Sequence, residues 1–324
     1  MKPLRDHVVL AIDGGGLRGI ICSKALTILE QYLIQTYGKN LYQLVDVAAG
    51  TSTGSIITAA LMIGKSAKEI LDLYLRCGTH LFKKSKRTLP VIKYLMSYRY
   101  DNESLRQLLD EQFGSITMDE IWEPNNPSKI PHKILVIIIR DLVEARTRFL
   151  KSYKDDARDW TLVKAILGST AVPTIFPVLD GRYVDGGVGS FSNPCLIAAF
   201  EAVICQGWNP RDVTLISLGT GHEKGGLRAY EANKFSSIEW IPVILDSFMS
   251  DANVQQVRSV SSFLSRDLDF RRFQVGFPPE ETAPSVFEMK DSEKLLHYGE
   301  IMGDAILNDH WEELEFDIER PPKK

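Results

Sequence analysis

The sequence has few cysteines and no metal-ligand spacing among them. Four cysteines occur in 324 residues, placed singly at positions 22, 77, 195 and 205. None of them forms the CxxC pattern of zinc sites or redox motifs, and we expect buried free thiols in a reducing compartment. The sequence therefore predicts no disulfide scaffold and no metal site, and it gives no sign of a cofactor.

A strong net charge and a long apolar run are also missing. The formal net charge of −4 gives no electrostatic reason to expect a nucleic acid as partner. The first residues lead directly into a strand pattern without an apolar signal-peptide core, and no run is long enough to span a bilayer. We therefore expect a cytoplasmic protein that would meet membranes only peripherally, with its oligomeric state left open by the sequence.

The most informative stretch is Gly-Thr-Ser-Thr-Gly at residues 50–54. It follows a short apolar run that predicts a buried strand, and a helical pattern of small and apolar residues follows it. In this context Gly-x-Ser-x-Gly is typical of a nucleophile elbow, with the Ser52 hydroxyl at the N-terminus of the helix. The alternative is a strand-to-helix turn in which Ser52 acts as an N-cap. The other elbow positions, whose small side chains permit the sharp turn, are Gly50, Thr51, Thr53 and Gly54.

A second glycine-rich segment, Asp-Gly-Gly-Gly-Leu-Arg-Gly at residues 13–19, also follows an apolar strand pattern. Its first, third and fourth glycines fit the GxGxxG pattern of dinucleotide-binding folds, but Asp46 comes too late to be the acidic partner of that motif. The loop could instead bind an anion through consecutive backbone N–H groups, with Arg18 adding a positive charge. In an acyl-transfer enzyme such donors contribute on the order of 3–4 kcal/mol each. The candidate donors are Gly14, Gly15 and Gly16.

A serine nucleophile needs a base, and the sequence offers an imidazole or a carboxylate. Of six histidines, only His222 follows a predicted strand end. Asp185 ends a strand that returns from a hairpin turn at residues 180–181, and Gly186 and Gly187 leave space around its side chain. Burial would raise the pKa of this carboxyl and make it a better base. The alternative is that Asp185 only forms a turn with the glycine after it.

The rest of the chain predicts alternating strands and helices without a linker or a repeat. A basic run at residues 83–87 with aromatic neighbours is compatible with binding to anionic lipid headgroups and equally with a solvated surface. Residues 193 and 194 predict the N-cap and first position of a helix. The predicted strands are 7–12, 133–139, 147–153, 213–218 and 270–276, and the predicted helices are 20–37, 66–77, 101–113, 160–171, 238–249, 251–264 and 291–307.

Taken together, these segments resemble the three signature blocks of patatin-like phospholipases. The blocks are residues 13–19, residues 50–54 and Asp-Gly-Gly at residues 185–187, in the order found in that family. The likeness is close from about residue 8 to 221 and looser in the C-terminal extension 222–324. We therefore treat residues 1–324 as a single domain. One departure is Ser55, where the family often has glycine.

The resemblance implies an α/β fold of three layers, α/β/α, with a mostly parallel central sheet. It implies that Ser52 is the nucleophile, that Asp185 is its base, and that Arg18 braces the oxyanion loop. The implied reaction is hydrolysis of acyl esters of phospholipids or lysophospholipids at a membrane or micelle surface, without a cofactor. Two other hypotheses are a nucleotide-binding module and a lipid-binding protein that keeps the fold without catalysis.

Overall fold

The structure is a computed structural model that describes residues 1–81, 100, 102–123, 127–130, 132–223, 250–264, 267–278, 283–286 and 289–311, and four single positions, 230, 233, 235 and 240. The basic run 83–87, the start of the predicted helix at Asp101 and most of the predicted helix 238–249 lie outside these residues. None of the helices in the described ranges combines the length and apolarity needed to cross a bilayer.

A mixed, mostly parallel sheet forms the centre of the molecule. The strands are β1 (His7–Ile12), β2 (Val45–Thr51), β3 (Ile134–Asp141), β4 (Arg146–Lys151), β5 (Tyr183–Asp185), β6 (Val213–Leu218), β7 (His222–Glu223), β8 (Asp269–Phe273) and β9 (Gly276–Phe277). The order across the sheet is β4–β3–β2–β1–β6–β8, and every neighbouring pair in it except β3–β4 is parallel. Strand β5 pairs antiparallel with β3, while β7 and β9 form a separate parallel pair.

Helices cover both faces of this sheet. They are α1 (Gly19–Tyr37), α2 (Leu41–Leu44), α3 (Thr53–Met62), α4 (Ala67–Leu81), α5 (Glu103–Phe113), α6 (Asp119–Trp122), α7 (Leu162–Ser169), α8 (Cys195–Phe200) and α9 (Ser292–Leu307). Residues 250–259 are also helical. Short 3-10 turns occur at Gly16–Arg18, Gly186–Gly189, Pro210–Asp212 and Met289–Asp291, and π-helical turns at Glu201–Cys205 and Val260–Leu264.

Alternation along the strands divides the core into two parts. In β1, Val8, Leu10 and Ile12 face the larger apolar cluster, which contains α1, α3, α4 and α7. Val9 and Ala11 face the other cluster, which contains α8 and the helical segment around Val257. Because both faces of the central strands are buried, their sequences are continuously apolar. This arrangement confirms the predicted three-layer α/β/α fold.

Several predicted boundaries were wrong, among them those of the strand at 270–276 and of helix α8. The predicted strand 270–276 is two strands, β8 and β9. Helix α8 begins at Cys195, one residue later than predicted, because the Asn193 Oδ1 accepts a hydrogen bond from the Cys195 N–H at 2.9 Å.

Cys22 and Cys195 are buried free thiols as expected, whereas Cys205 is exposed on the π-helical turn.

Candidate active site

Ser52 and Asp185 meet at one edge of strand β3. Along that edge, Thr51 at the end of β2 lies opposite Ile138, and Asp185 at the end of β5 lies opposite Ile139. Strand β4 pairs with the other edge of β3. Strands β2 and β5 therefore share one edge of β3, where β2 runs parallel to β3 and β5 runs antiparallel to it. Residues 52 and 185 therefore follow each other along the edge of one strand, although 132 residues separate them in the sequence.

The backbone at Ser52 has the unusual conformation that a nucleophile elbow requires. Its φ of 53° and ψ of −132° lie in a region that residues with a side chain rarely adopt. The Ser52 N–H donates to the Ser169 hydroxyl at 2.8 Å, and the Ser55 hydroxyl donates to the Ser52 carbonyl at 2.5 Å. These contacts hold the turn, and they give Ser55, the departure from the family pattern, a local structural role.

The flanking glycines are needed because other backbone lies against them. A Cβ atom on Gly50 would lie 2.6 Å from the Gly54 carbonyl oxygen, and a Cβ atom on Gly54 would meet the carbonyl of Ile12. Such distances are below van der Waals contact, so a larger residue at either position would displace β1 or α3. The elbow thus packs directly against the end of β1.

Asp185 is a buried carboxylic acid with few partners. Its side chain accepts the Gly187 N–H at 2.7 Å through Oδ1, whereas Oδ2 accepts no well-formed hydrogen bond from the described residues. Burial raises the pKa of Asp185 to about 6, and the nearby Ser52 hydroxyl and the Gly187 N–H oppose that rise. A Cβ atom on Gly186 would lie 2.6 Å from the Ile138 carbonyl oxygen, so this glycine lets Asp185 approach β3.

The glycine loop after β1 lies against the elbow. A Cβ atom on Gly14 would lie 3.0 Å from the Ser52 Cβ. The Gly14 N–H already donates to the Ser192 carbonyl at 2.9 Å, which leaves it unavailable to an oxyanion unless that bond breaks. Within the described ranges, no acceptor contacts the N–H groups of Gly15 and Gly16. These two groups are the donors that the loop can offer to a ligand next to Ser52.

Arg18 turns away from the site and ties the loop to a later segment. Its Nε donates to the Pro284 carbonyl at 2.8 Å, and its guanidinium carbon lies 4.9 Å from the centre of the Phe277 ring. The Leu17 N–H donates to the Val286 carbonyl at 2.9 Å. Arg18 is therefore positioned to brace the loop from outside.

A buried ion pair behind the loop was missed by the sequence analysis. The Arg272 guanidinium donates to both carboxylate oxygens of Asp13, at 2.9 and 2.5 Å, and to the Ser217 hydroxyl at 2.8 Å. All three residues are almost fully buried. The pair joins the ends of β1 and β8 and so fixes the start of the glycine loop. The available signal was the presence of two consecutive arginines between two phenylalanines in a predicted strand.

Ser52, Asp185 and the glycine loop line a single cavity of about 270 Å³. Apart from these groups its walls are mainly apolar, from Leu17, Ile56, Tyr74, Leu105, Val172, Phe176, Val188 and Val286, with hydroxyls of Thr53, Thr170 and Ser192. No histidine of the described chain is among the lining residues. His222 is exposed in β7, where its N–H donates to the Val275 carbonyl.

The arrangement suits acyl transfer better than phosphate binding. A strained serine lies beside a buried carboxylate, an apolar cavity and two backbone N–H groups that have no acceptor among the described residues. Arg18, the cation that a phosphate would need at the glycine loop, does not line the cavity. An α/β/α fold with a serine on a strained strand-to-helix turn is typical of hydrolases that act on acyl esters.

Comparison with known proteins identifies the family. A family model described as patatin-like phospholipase matches residues 10–199, which is more than half of the chain. The chain therefore belongs to the patatin-like phospholipase family, whose members are lipid acyl hydrolases.

The individual proteins to which the chain is similar share less than 30% of their aligned residues with it. An intracellular phospholipase A2 of Caenorhabditis elegans is 29% identical over 231 residues, which cover 66% of this chain but only 19% of that protein. Patatin-B1 of Solanum tuberosum is 26% identical over 290 residues, covering 77% of this chain and 72% of its own length. The solved structure of VipD from Legionella pneumophila is 14% identical and covers 95% of this chain and 67% of its own, with a TM-score of 0.46.

Proposed function

We propose that this protein hydrolyses acyl esters of phospholipids or lysophospholipids through Ser52 and Asp185, with an acyl-serine intermediate. The observation that carries the proposal is the meeting of the two side chains along one edge of β3, beside an apolar cavity. The cavity walls suit an acyl chain, because apolar side chains line most of it. The polar groups of the cavity include Ser52 and Asp185, the two groups proposed to react with the ester.

In the first half of the reaction, the Ser52 hydroxyl attacks the ester carbonyl while its proton moves to Asp185. The unpartnered Oδ2 of Asp185 is available to take that proton, and a pKa of about 6 makes it a stronger base than an ordinary aspartate. The N–H groups of Gly15 and Gly16 stabilise the oxyanion of the tetrahedral intermediate. The intermediate collapses when the alcohol or lysolipid leaves with the proton from Asp185.

In the second half, water replaces the alcohol. Asp185 takes a proton from the water as its oxygen attacks the acyl-serine carbonyl, and the same N–H groups stabilise the second oxyanion. Collapse of this intermediate releases the fatty acid and returns the proton to Ser52. The net charge of the site stays constant over the cycle, because one negative charge moves between the Asp185 carboxylate and the oxyanion.

The test is fatty acid release from lysophosphatidylcholine and from phospholipid micelles, followed by mass spectrometry. Ser52→Ala should remove nearly all release, whereas the matched control Ser66→Ala should retain it. Ser66 lies on the surface, where its hydroxyl bonds to Glu69 at the start of α4, so its loss affects only a helix cap. Fatty acid release by Ser52→Ala at the rate of the unmodified protein would refute the proposed nucleophile.

A further inference from the structure

The β3–β4 hairpin carries two exposed aliphatic residues at its tip. Leu142 is 50% exposed and Val143 is 70% exposed, although polar residues are the usual occupants of such turns. We call residues 142–145 the hairpin tip. Neither side chain contributes to the two apolar clusters of the core. Packing among the residues that the structure describes therefore does not explain why these positions are aliphatic.

The hairpin tip extends beyond the catalytic edge of the sheet. Asp185 lies opposite Ile139, and Leu142, the first residue after β3, follows Ile139 by three positions. At the rise of a β-strand this places the tip about 10 Å beyond Asp185. The segment after Asp185 packs on the hairpin, since a Cβ atom on Gly189 would lie 3.4 Å from the Arg140 Cδ. Val188, which lines the cavity and is 49% exposed, thus lies between the site and the hairpin.

The backbone of the hairpin tip is held by a buried carboxylate. Asp141 Oδ1 accepts the N–H groups of Val143 and Glu144, each at 3.0 Å. Arg182 donates to both oxygens of Asp141, and its carbonyl accepts the Leu142 N–H at 3.0 Å. The tip is therefore preorganised, so that burying its two side chains requires little further loss of backbone entropy.

The surroundings of the hairpin tip have a small excess of positive charge. Three arginines lie on or beside the tip, against Asp141 and Glu144 on the same element, which leaves an excess of one positive charge. Arg182 and Arg146 share Glu144. Arg148, further along β4, is largely buried and its charge is offset by Asp156. Cationic groups around an exposed apolar tip match a surface with anionic headgroups over an acyl layer. The three are Arg140, Arg146 and Arg182.

We propose that the hairpin tip docks on an anionic phospholipid surface, inserting Leu142 and Val143 and bringing Val188, an exposed residue of the cavity wall, to the lipid. This deepens the proposed function and rests on it for its purpose, since a hydrolase of membrane lipids has to receive its substrate from the surface. Binding itself can be measured without catalysis, so that the two proposals fail separately.

The experiment is sedimentation of the full chain with vesicles of phosphatidylcholine and phosphatidylglycerol in equal parts. All proteins carry Ser52→Ala, so that binding is measured without hydrolysis. Leu142→Gln together with Val143→Gln should weaken binding about tenfold, the loss expected when two half-exposed aliphatic side chains no longer enter the acyl layer. As a matched single pair, Val143→Gln should weaken binding and Ile204→Gln should not. Ile204 is 68% exposed on the π-helical turn that contacts Lys151, at the end of β4 far from the hairpin tip.

A second measurement uses the active enzyme. With Ser52 restored, the hairpin double variant should hydrolyse the soluble ester p-nitrophenyl butyrate at an unchanged rate but release less fatty acid from the same vesicles. Vesicle binding by the double variant as tight as that of the parent would overturn the proposal. So would equal losses in Val143→Gln and Ile204→Gln. Vesicle binding by the unmodified protein without any release of fatty acid would instead count against the proposed function and leave the docking proposal standing.

Discussion

Asp141 and Asp185 occupy the two ends of the short β3–β5 ladder, and their acidities differ widely. Asp141 lies opposite Tyr183 and Asp185 opposite Ile139, and both side chains are buried. Hydrogen bonds from Arg182 lower the pKa of Asp141 to about 2, with further help from the Glu144 and Val143 N–H groups. Burial without a neighbouring cation raises the pKa of Asp185 to about 6.

The difference teaches that burial alone does not decide what a carboxylate can do. Asp141 has a guanidinium and two backbone N–H groups, so its charge is fully compensated and it organises a turn. Asp13 is compensated in the same way by Arg272 and organises the glycine loop. Asp185 has one N–H group and the Ser52 hydroxyl, and this lack of compensation makes it fit to accept a proton.

Replacing each carboxylate by its amide should separate the two roles most strongly. Asp185→Asn should lower kcat/KM for ester hydrolysis by at least about a thousandfold, because the proton acceptor is lost while the shape is kept. Asp141→Asn should leave kcat/KM for a soluble ester within a fewfold of the parent. Equal losses in the two variants, measured side by side on p-nitrophenyl butyrate, would show that the β3–β5 ladder acts only as a scaffold.

The pH dependence of hydrolysis should report the acidity of Asp185. Only the ionised carboxylate can take the serine proton, so kcat/KM should fall about tenfold for each unit below an apparent pKa of about 6. The profile should come from a soluble ester in buffers of constant ionic strength. A plateau that continues unchanged to pH 4.5 would mean that a more acidic group is the base.

The same carboxylate should destabilise the fold at neutral pH. Its native pKa of about 6 exceeds the ordinary value of 3.8, so the native state binds more protons between these values and stability falls as pH rises through this window. Asp185→Asn removes that cost and should raise the free energy of unfolding by on the order of 1–3 kcal/mol at pH 8. Urea unfolding at pH 8 and pH 4 checks the sign, because the gain should vanish at pH 4.

Asp141→Asn should have the opposite effect on stability. It removes the charged partner of Arg182, and the free energy of unfolding at pH 7 should fall by about 2 kcal/mol, the usual worth of hydrogen bonds to a charged group. Because the native pKa of Asp141 is about 2, the loss should shrink only as pH falls from about 4 towards 2. Stabilisation at pH 7 in urea unfolding would contradict the assigned role of the Asp141–Arg182 pair.

The sequence predicted most strands and the segments that bear Ser52 and Asp185, since these depend on local patterns. Apolar runs predicted β1, β2, β3 and β6, and the Asp180–Gly181 turn is formed with φ values of 51° and 64°. The capping box at the start of α4 is also present, with the Ser66 N–H donating to Glu69 at 2.8 Å. Each of these features is determined by residues within a few positions of one another.

Other parts of the site depend on long-range contacts that no local pattern encodes. Arg272 reaches Asp13 across 259 positions, and the Ser192 carbonyl takes the Gly14 N–H that the sequence assigned to an oxyanion. The choice of Asp185 over His222 as the base was likewise left open by residue patterns and rested on the family resemblance. The register of β2 and β5 on β3 brings Asp185, and not His222, close to Ser52, which supports the proposed base.

The most direct test of the Ser52–Asp185 pair is the rate at which a fluorophosphonate modifies Ser52, followed by intact-protein and peptide mass spectrometry across pH. Labelling requires an activated serine but no substrate, so it is independent of lipid preference. We expect modification of Ser52 alone, with a rate that falls below about pH 6 and is nearly abolished in Asp185→Asn. Rapid modification of Ser52 in Asp185→Asn, or modification of another serine in its place, would contradict the account.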